Sequence, residues 1–357
     1  MNYKLFKYLK KRGLTDPFQV NSLFVTAFIQ EKGWNVEHCS VIISLLGYYQ
    51  EIVTDFIKVL KDNGFTFCLE DLIKLFEFVI SPVDRIVTGA VYTPENIRSA
   101  IIQRCLGDKK TDEMRRLRVA DISCGCGGFL MDIAFWIHHH TGKTYRDIFR
   151  DNIYGIDIQD YSIVRTKIFS LLALSEGEDE DFEFNLMCRD TLDYLDEDWD
   201  NQYNGFDVVV GNPPYVCARN LPEETHSKLN DYEVCTTGHP DLYIPFFQIA
   251  TEMLKEGGRL GYITMNTFLR SVNGRAVRKF FSRNRFAISI VDFRGYQVFE
   301  SKNTYTCLFY LDKTHGAEAL KYSVDERASL YGDILFRDIP YVDLDDDKGW
   351  TLNDFDT

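Results

Sequence analysis

From about residue 86 the chain alternates short runs rich in β-branched and aromatic residues with longer stretches spaced for helices. The candidate strands are 118–122, 153–157, 184–188, 206–210, 259–264, 288–293 and 304–311. Helical patterns fill most of the gaps, at 95–106, 129–139, 162–174, 242–255 and 274–282. Asp241 is the candidate N-cap of the fourth helix and Gly257 its stop. Strands separated by helices cannot close as hairpins and must cross over. The expected fold is therefore α/β, a doubly wound, mostly parallel seven-stranded sheet. Such sheets bind ligands outside the carboxyl ends of their strands.

The first 85 residues read differently. Apolar residues recur at three and four positions in SLFVTAFIQEKG, VIISLLGYYQEIVTDFIKVLKDNG and LEDLIKLFEFVI, with Gly33 and Gly64 as stops. This predicts a helical N-terminal region over 1–85, with a packing or linking role and no visible chemistry. A catalytic domain over 86–315 and a C-terminal extension over 316–357 complete the expected organisation.

Charge and cysteines limit the function classes. No run of eighteen apolar residues is present, so no membrane-spanning helix is expected. The basic start MNYKLFKYLKKRG lacks an apolar core, which argues against secretion. Nine scattered cysteines fit free thiols in a reducing cytoplasm. The net charge of −14 argues against coating nucleic acid over the whole surface, but the charge is uneven. Residues 176–200 hold twelve acids and one Arg, so the rest of the chain carries only −3. The run Glu178-Asp179-Glu180-Asp181 reads as a solvated loop, since adjacent carboxylates lack the alternating spacing of a calcium loop. A second acidic cluster is Asp343, Asp345, Asp346 and Asp347. Between Gly257 and Val291 there are seven basic residues, Arg270 among them, and no acid. Arg275, Arg278 and Lys279 share one helical face there, either solvated or contacting phosphates.

Four strand ends carry the candidate chemistry. The first strand runs into Asp121-Ile122-Ser123-Cys124-Gly125-Cys126-Gly127-Gly128, a turn whose glycines permit close approach of a ligand. It suits a pyrophosphate or the amino-acid part of S-adenosylmethionine, whose ammonium Asp121 could hold. Cys124 and Cys126 have no second ligand pair at zinc spacing, and His138–His140 have no matching ligands, so no metal is expected. Asp157, followed by Ile158, ends the second strand where a carboxylate can accept both ribose hydroxyls. Asp190 ends the third, placed to accept from an adenine amine. The fourth strand delivers Asn212-Pro213-Pro214-Tyr215. The two prolines fix φ and remove two donors. The Asn212 amide oxygen and the Pro213 carbonyl can both accept from an NH2 group on a planar ring, and Tyr215 offers a face to stack on it.

In this order the motifs resemble the gamma-class S-adenosylmethionine-dependent N6-adenine DNA methyltransferases of bacterial restriction–modification systems. The likeness covers roughly residues 75–315 and implies a class I methyltransferase-like sheet. Thr88-Gly89-Ala90-Val91-Tyr92-Thr93-Pro94 resembles the family's N-terminal cofactor motif, with Thr93 and Pro94 near the methionine moiety. Residues 121–130 resemble Asp-Pro-Ala-Cys-Gly-Ser-Gly-x-Phe-Leu, departing at Ile122, Ser123 and Cys126 while keeping Gly125 and Gly127. The resemblance makes Tyr92, Thr93, Pro94, Asp121, Ser123, Gly125, Gly127, Asp157, Ile158, Asp190 and Asn212 the cofactor-binding set. It makes Asn212, Pro213, Pro214 and Tyr215 the catalytic tetrad. Gln297-Val298-Phe299 resembles the segment in which a Phe stacks on the flipped adenine, so Phe299 joins Arg270, Arg275 and Lys279 as substrate-binding candidates.

The implied reaction takes an adenine of double-stranded DNA out of the helix, holds it between Tyr215 and Phe299, and methylates N6 directly without metal or covalent intermediate. Rival readings are a methyltransferase acting on RNA or a protein glutamine, a non-catalytic scaffold or specificity subunit, and a nicotinamide dehydrogenase. The last lacks the third glycine of its fingerprint, since position 130 is Leu. Leu335–Phe355 reads as a lead-in to a target-recognition domain outside the chain. The expectation is a fragment of a longer cytoplasmic enzyme, with a fused reader favoured over a separate specificity subunit.

Overall fold

A computed structural model describes residues 2–14, 16–78, 91–299, 304–326, 330 and 334–352. Thr88, Gly89 and Ala90 of the motifs above lie outside them. The first helices are α1 (Asn2–Lys11), α2 (Pro17–Lys32), α3 (Ser40–Ile43), α4 (Gln50–Asp62) and α5 (Leu69–Phe78). Asp16 caps α2 by accepting from the amides of Phe18 and Gln19, Pro17 opens it, and Gly33 closes it at φ 64°. Residues Val20 to Ile29 of α2 are all buried, which makes it the central helix of this group. Phe24 lies flat on Phe56 of α4, with centroids 5.5 Å apart.

Among the described residues, nine strands form a single sheet: β1 (Val119–Asp121), β2 (Ile153–Asp157), β3 (Asn185–Cys188), β4 (Phe206–Gly211), β5 (Leu254–Met265), β6 (Ala287–Asp292), β7 (Thr306–Asp312), β8 (Ala319–Val324) and β9 (Arg337–Pro340). Their order is β3-β2-β1-β4-β5-β7-β6-β8-β9. The expectation of seven strands is corrected: β8 pairs parallel to β6, and β9 antiparallel to β8, so residues 319–340 extend the sheet. Strands β1 to β5 pair in parallel, whereas β7 runs antiparallel between β5 and β6. The sheet is thus mixed.

Helices cover both faces. The side chains of β5 alternate. A Cβ on Gly261 would stand 2.8 Å from Ile101 of α6 (Glu95–Leu106). Its neighbour Tyr262 meets Phe247 of α13 (Tyr243–Met253), ring to ring at 6.5 Å. Between these lie α7 (Thr111–Met114), α8 (Gly128–Thr141), α9 (Tyr145–Asp151), α10 (Asp160–Ile168), α11 (Leu171–Ser175) and α12 (Glu223–Leu229); α14 (Arg275–Asn284) follows β5. Two terminus assignments from the sequence do not hold. Leu242, not Asp241, precedes α13, because the Asp241 carboxylate accepts from the Ala218 amide at 2.9 Å instead. Gly257 lies within β5, where its amide donates to the Lys313 carbonyl.

The acidic run is a partly exposed loop, as expected, but its carboxylates also cap helices. Asp179 accepts from the amides of Glu37, His38 and Cys39, and Asp181 from Ser40, which caps α3. Glu178 accepts from the amides of Tyr145 and Arg146 at the start of α9. Donors left open by the first turn of a helix attract carboxylates, so this charge ties α3 and α9 to the segment before β3.

Candidate functional site

Strands β2 and β3 lie to one side of β1, while β4 and β5 lie to the other. The chain therefore reverses its direction of winding between β1 and β4, where a crevice must open outside the carboxyl ends. Asp121 pairs with Val210 across that junction, so the Gly-rich turn and Asn212 leave the sheet side by side.

A cavity of about 270 Å³ occupies this place. Tyr92, Thr93, Asp121, Ser123, Gly125, Asp157, Ile158, Asp190, Asn212 and Pro214 all line it. Sequence positions up to 122 apart thus converge on one pocket. Pro94 stands behind the wall as the residue preceding α6, and Gly127 caps α8 at φ 83°, where a Cβ would meet Thr166 Oγ1 at 2.8 Å. Pro213 and Tyr215 are buried beside the pocket.

Each carboxylate is held by backbone donors. Asp121 is 2% exposed and accepts from the Ser123 amide at 3.0 Å. Burial pushes its carboxyl up to about 8, with the Asp157 charge adding to the shift. Asp157 accepts from Gly125 N and Gln159 N, both at 2.9 Å, which fixes the turn to β2. Burial raises it to about 6. Asp190 accepts from the Leu192 amide and pairs with Lys228 of α12 at 2.8 Å. Lys228 also meets Asp193 at 2.6 Å. Leu221, Pro222 and Thr225, just before and on α12, complete the wall at that end.

Asn212 has the most informative geometry. Its Nδ2 donates to Thr93 Oγ1 at 3.0 Å and to the Val91 carbonyl at 3.3 Å. A carbonyl can only accept, so the amide nitrogen must face it and the orientation is fixed. The Oδ1 atom is buried and has no hydrogen-bond partner among the described residues. The tetrad is thereby tied to the segment ahead of α6, a link that sequence spacing does not reveal.

The substrate candidates are placed less simply. Tyr215 donates to the Ile263 carbonyl at 3.2 Å and meets Phe299 edge to face, with centroids 6.0 Å apart at 66°. An edge-on contact leaves no slot for a base between the two rings. Arg270 lines a separate open cleft of about 530 Å³ with Asn266, Arg294 and Tyr305 at the same edge of the sheet. The basic face of α14 is not free: Lys279 meets Asp347 at 2.8 Å, Arg275 reaches the same carboxylate at 3.4 Å, and Arg278 is fully buried against the carbonyls of Phe268 and Asp346. The acidic tail cluster and the basic helix thus neutralise each other.

The N-terminal region contributes what the sequence reading assigned to packing alone. Ile73 and Glu77 of α5 line the cavity. Arg98, itself 1% exposed, joins Glu70 of α5 at 2.6 Å to Asp132 of α8 at 2.7 Å and donates to the Thr93 carbonyl. Arg165 of α10 donates to Asn21 and to the Phe76 carbonyl. No local pattern could have announced the contacts to Glu70, Asp132, Asn21 and Phe76, because these partners lie 28 to 144 positions away.

Comparison with known proteins bears on this arrangement. Residues 151–299 match the Eco57I restriction-modification methylase family. The restriction–modification methylase family resembled by the motifs is the one found. The type II restriction enzyme and methyltransferase RM.Eco57I of Escherichia coli is 28% identical over 381 residues, which is 89% of this chain and 38% of that enzyme. The chain therefore spans well under half the length of that relative. Among solved structures, a DrdV–DNA complex superposes with a TM-score of 0.65 at 16% identity, covering 89% of this chain and 38% of that one. A putative class I S-adenosylmethionine-dependent methyltransferase from Listeria monocytogenes superposes with a TM-score of 0.56 at 16% identity, covering 89% and 94%. At such identities the structures speak to the fold alone, a mixed α/β sheet like that of the Listeria protein.

Proposed function

We propose that this chain is the methyl-transferring part of a restriction–modification enzyme, acting from S-adenosylmethionine on N6 of an adenine flipped out of duplex DNA. The observation that carries this is Asn212. Its amide nitrogen is committed to Thr93 and Val91, and its buried oxygen is left as an acceptor at the carboxyl end of β4. An unpaired buried acceptor costs free energy unless a ligand donates to it. The family match and the DNA complex formed by the similar DrdV support a nucleic-acid substrate.

The residues present fit the cofactor. Asp157 would hold the ribose hydroxyls, Asp190 the adenine amine, and Asp121 with the turn 123–125 the amino-acid end. When bound, S-adenosylmethionine supplies an electrophilic methyl group. Asn212 Oδ1 and the Pro213 carbonyl accept from the two amine hydrogens and turn the nitrogen lone pair towards the incoming group. Tyr215, anchored through its hydroxyl to Ile263, offers a rigid ring against which the base stacks. Phe299 must leave its edge-on contact for the base to enter. No strong base is needed, since the N6 proton becomes acidic as the new bond forms and passes to water. Positioning and fixed dipoles then carry most of the rate.

The test incubates the protein and labelled cofactor with mixed-sequence DNA, with RNA and with protein, and assays N6-methyladenine. Label in RNA or protein alone overturns the proposal. Asn212→Ala should lower transfer by roughly a hundredfold or more while leaving cofactor affinity within a few fold.

A further inference from the structure

Asn212 is held at both its main chain and its side chain by residues that line the cavity. Its main-chain carbonyl accepts from the Ser123 hydroxyl at 3.5 Å. Its Nδ2 donates to Thr93 Oγ1 at 3.0 Å and to the Val91 carbonyl at 3.3 Å. The two side-chain contacts do different work. A carbonyl only accepts, so Val91 decides which end of the amide faces it. One hydrogen bond still lets the amide rock about its last side-chain bond, which is a soft torsion. The second and shorter bond, to Thr93, fixes the plane.

Thr93 is anchored in its turn. It is buried, and its carbonyl accepts from Arg98 Nη1 at 2.6 Å. Arg98 is itself clamped between Glu70 of α5 and Asp132 of α8. Pro94, which follows Thr93 and precedes α6, has its φ fixed at −56° by its ring. The Thr93 hydroxyl is thus presented by a stiff frame, while Asn212 Oδ1 has no partner of its own among the described residues. The direction of Oδ1 is therefore set from the nitrogen end of the amide. Resting on the reading of Asn212 above, we infer that Thr93 is a positioning residue for the transfer step: through the Asn212 amide, its hydroxyl oxygen aims Oδ1 at the target amine. A tilted amide would accept poorly and let the nitrogen lone pair swing off the line of attack, which costs rate. Thr93 then serves the reaction as well as lining the cavity.

The experiment uses the full chain and follows N6-methyladenine formation in mixed-sequence DNA, with S-adenosylmethionine raised until the rate no longer changes. Thr93→Val keeps the shape and removes the acceptor. It should lower the rate at saturating cofactor by roughly tenfold, as expected for one lost hydrogen bond, while Thr93→Ser, which keeps the hydroxyl, should stay within about threefold of the parent. A parent-like rate for Thr93→Val overturns the inference. So does a loss that disappears as cofactor is raised, since Thr93 would then be a cofactor contact alone. An equal loss in Thr93→Ser also overturns it, since the methyl group would then be what counts. Should Thr93→Val not fold, Thr93→Ala and Thr93→Ser differ from each other by the hydroxyl alone, and equal rates for that pair overturn the inference. If Asn212→Ala keeps the parent's rate, or the parent forms no N6-methyladenine, it is the reading of Asn212 that fails.

Discussion

Asp121 shows how a single position can be fitted for a ligand at the expense of the empty protein. It sits at 2% exposure with one backbone donor, so its charged form is poorly solvated and its carboxyl rises to about 8. Between its ordinary value near 3.8 and that figure the folded chain holds a proton that the unfolded chain has released. Stability must then fall as pH rises through this window, by up to about 1.4 kcal/mol per pH unit. Asp157, raised to about 6, contributes in the same direction over the lower part of the range. The prediction concerns the cofactor-free protein. Urea midpoints should drop between pH 6 and pH 8, and Asp121→Asn, which has no proton to lose, should flatten most of that drop. A variant with the parent's slope would mean that Asp121 is already ionised at pH 6.

At the scale of elements, the junction of β1 and β4 depends on the absence of a side chain. A Cβ on Gly211, the last residue of β4, would stand 2.8 Å from Asp121 Oδ1 and 3.4 Å from the buried Tyr262 ring. Neither neighbour is the far end of a flexible side chain. Gly211→Ala should therefore push the strand end and Asn212 with it, destabilising by about 1–3 kcal/mol and lowering methyl transfer more than cofactor binding. Calorimetry and single-turnover assays would read both effects. The helix α12 presents a second case. Its Lys228 holds Asp190 and Asp193 together over the end of the cavity that Leu221, Pro222 and Thr225 close. Lys228→Met should loosen this closure and speed cofactor release by several fold in stopped-flow displacement, since a partly buried ion pair of this kind is worth on the order of 1 kcal/mol. An unchanged off-rate would show that the helix stays shut without its lysine.

What was legible in the sequence follows the same division. All seven strands expected from apolar runs are present, because each run is apolar in its own residues whichever way it pairs. The two strands at the end of the sheet, β8 and the edge strand β9, lie outside those runs: ALKYSV alternates polar and apolar residues, RDIP is four residues long, and both depend on a neighbour for their pairing. Strand-end acids were legible through their order along the chain. Their partners were not. Lys228 for Asp190, Thr93 for Asn212 and Asp347 for Lys279 are tertiary contacts between residues with no shared periodicity. Charge runs were only half legible for the same reason: the acidic stretch before β3 is the expected loop but also caps helices, and the basic helix α14 meets the acidic tail.

At the scale of the whole molecule, the N-terminal helices and the sheet share one core rather than two. Phe76 of α5 packs on Phe169 after α10 at 6.3 Å, and the buried Arg98 and Arg165 each bridge the two parts. Removing the charge of Arg98 would leave Glu70 and Asp132 facing each other in the interior, at an expected cost of about 3–5 kcal/mol. Because both parts lean on this cluster, the loss should appear as one earlier transition and not as detachment of the helices. The four tryptophans allow a direct check, since Trp34 reports on the N-terminal helices, where it packs against Phe28, and the fully buried Trp350 on the sheet's helical cover, where it packs against Phe281 of α14. In variants keeping only one of these two indoles, denaturation curves of the parent background should coincide. Arg98→Met should shift both curves together to lower urea. If Trp34 were to unfold first in the parent, the N-terminal helices would be an independent unit, and the Arg98 and Arg165 bridges would not couple them to the sheet.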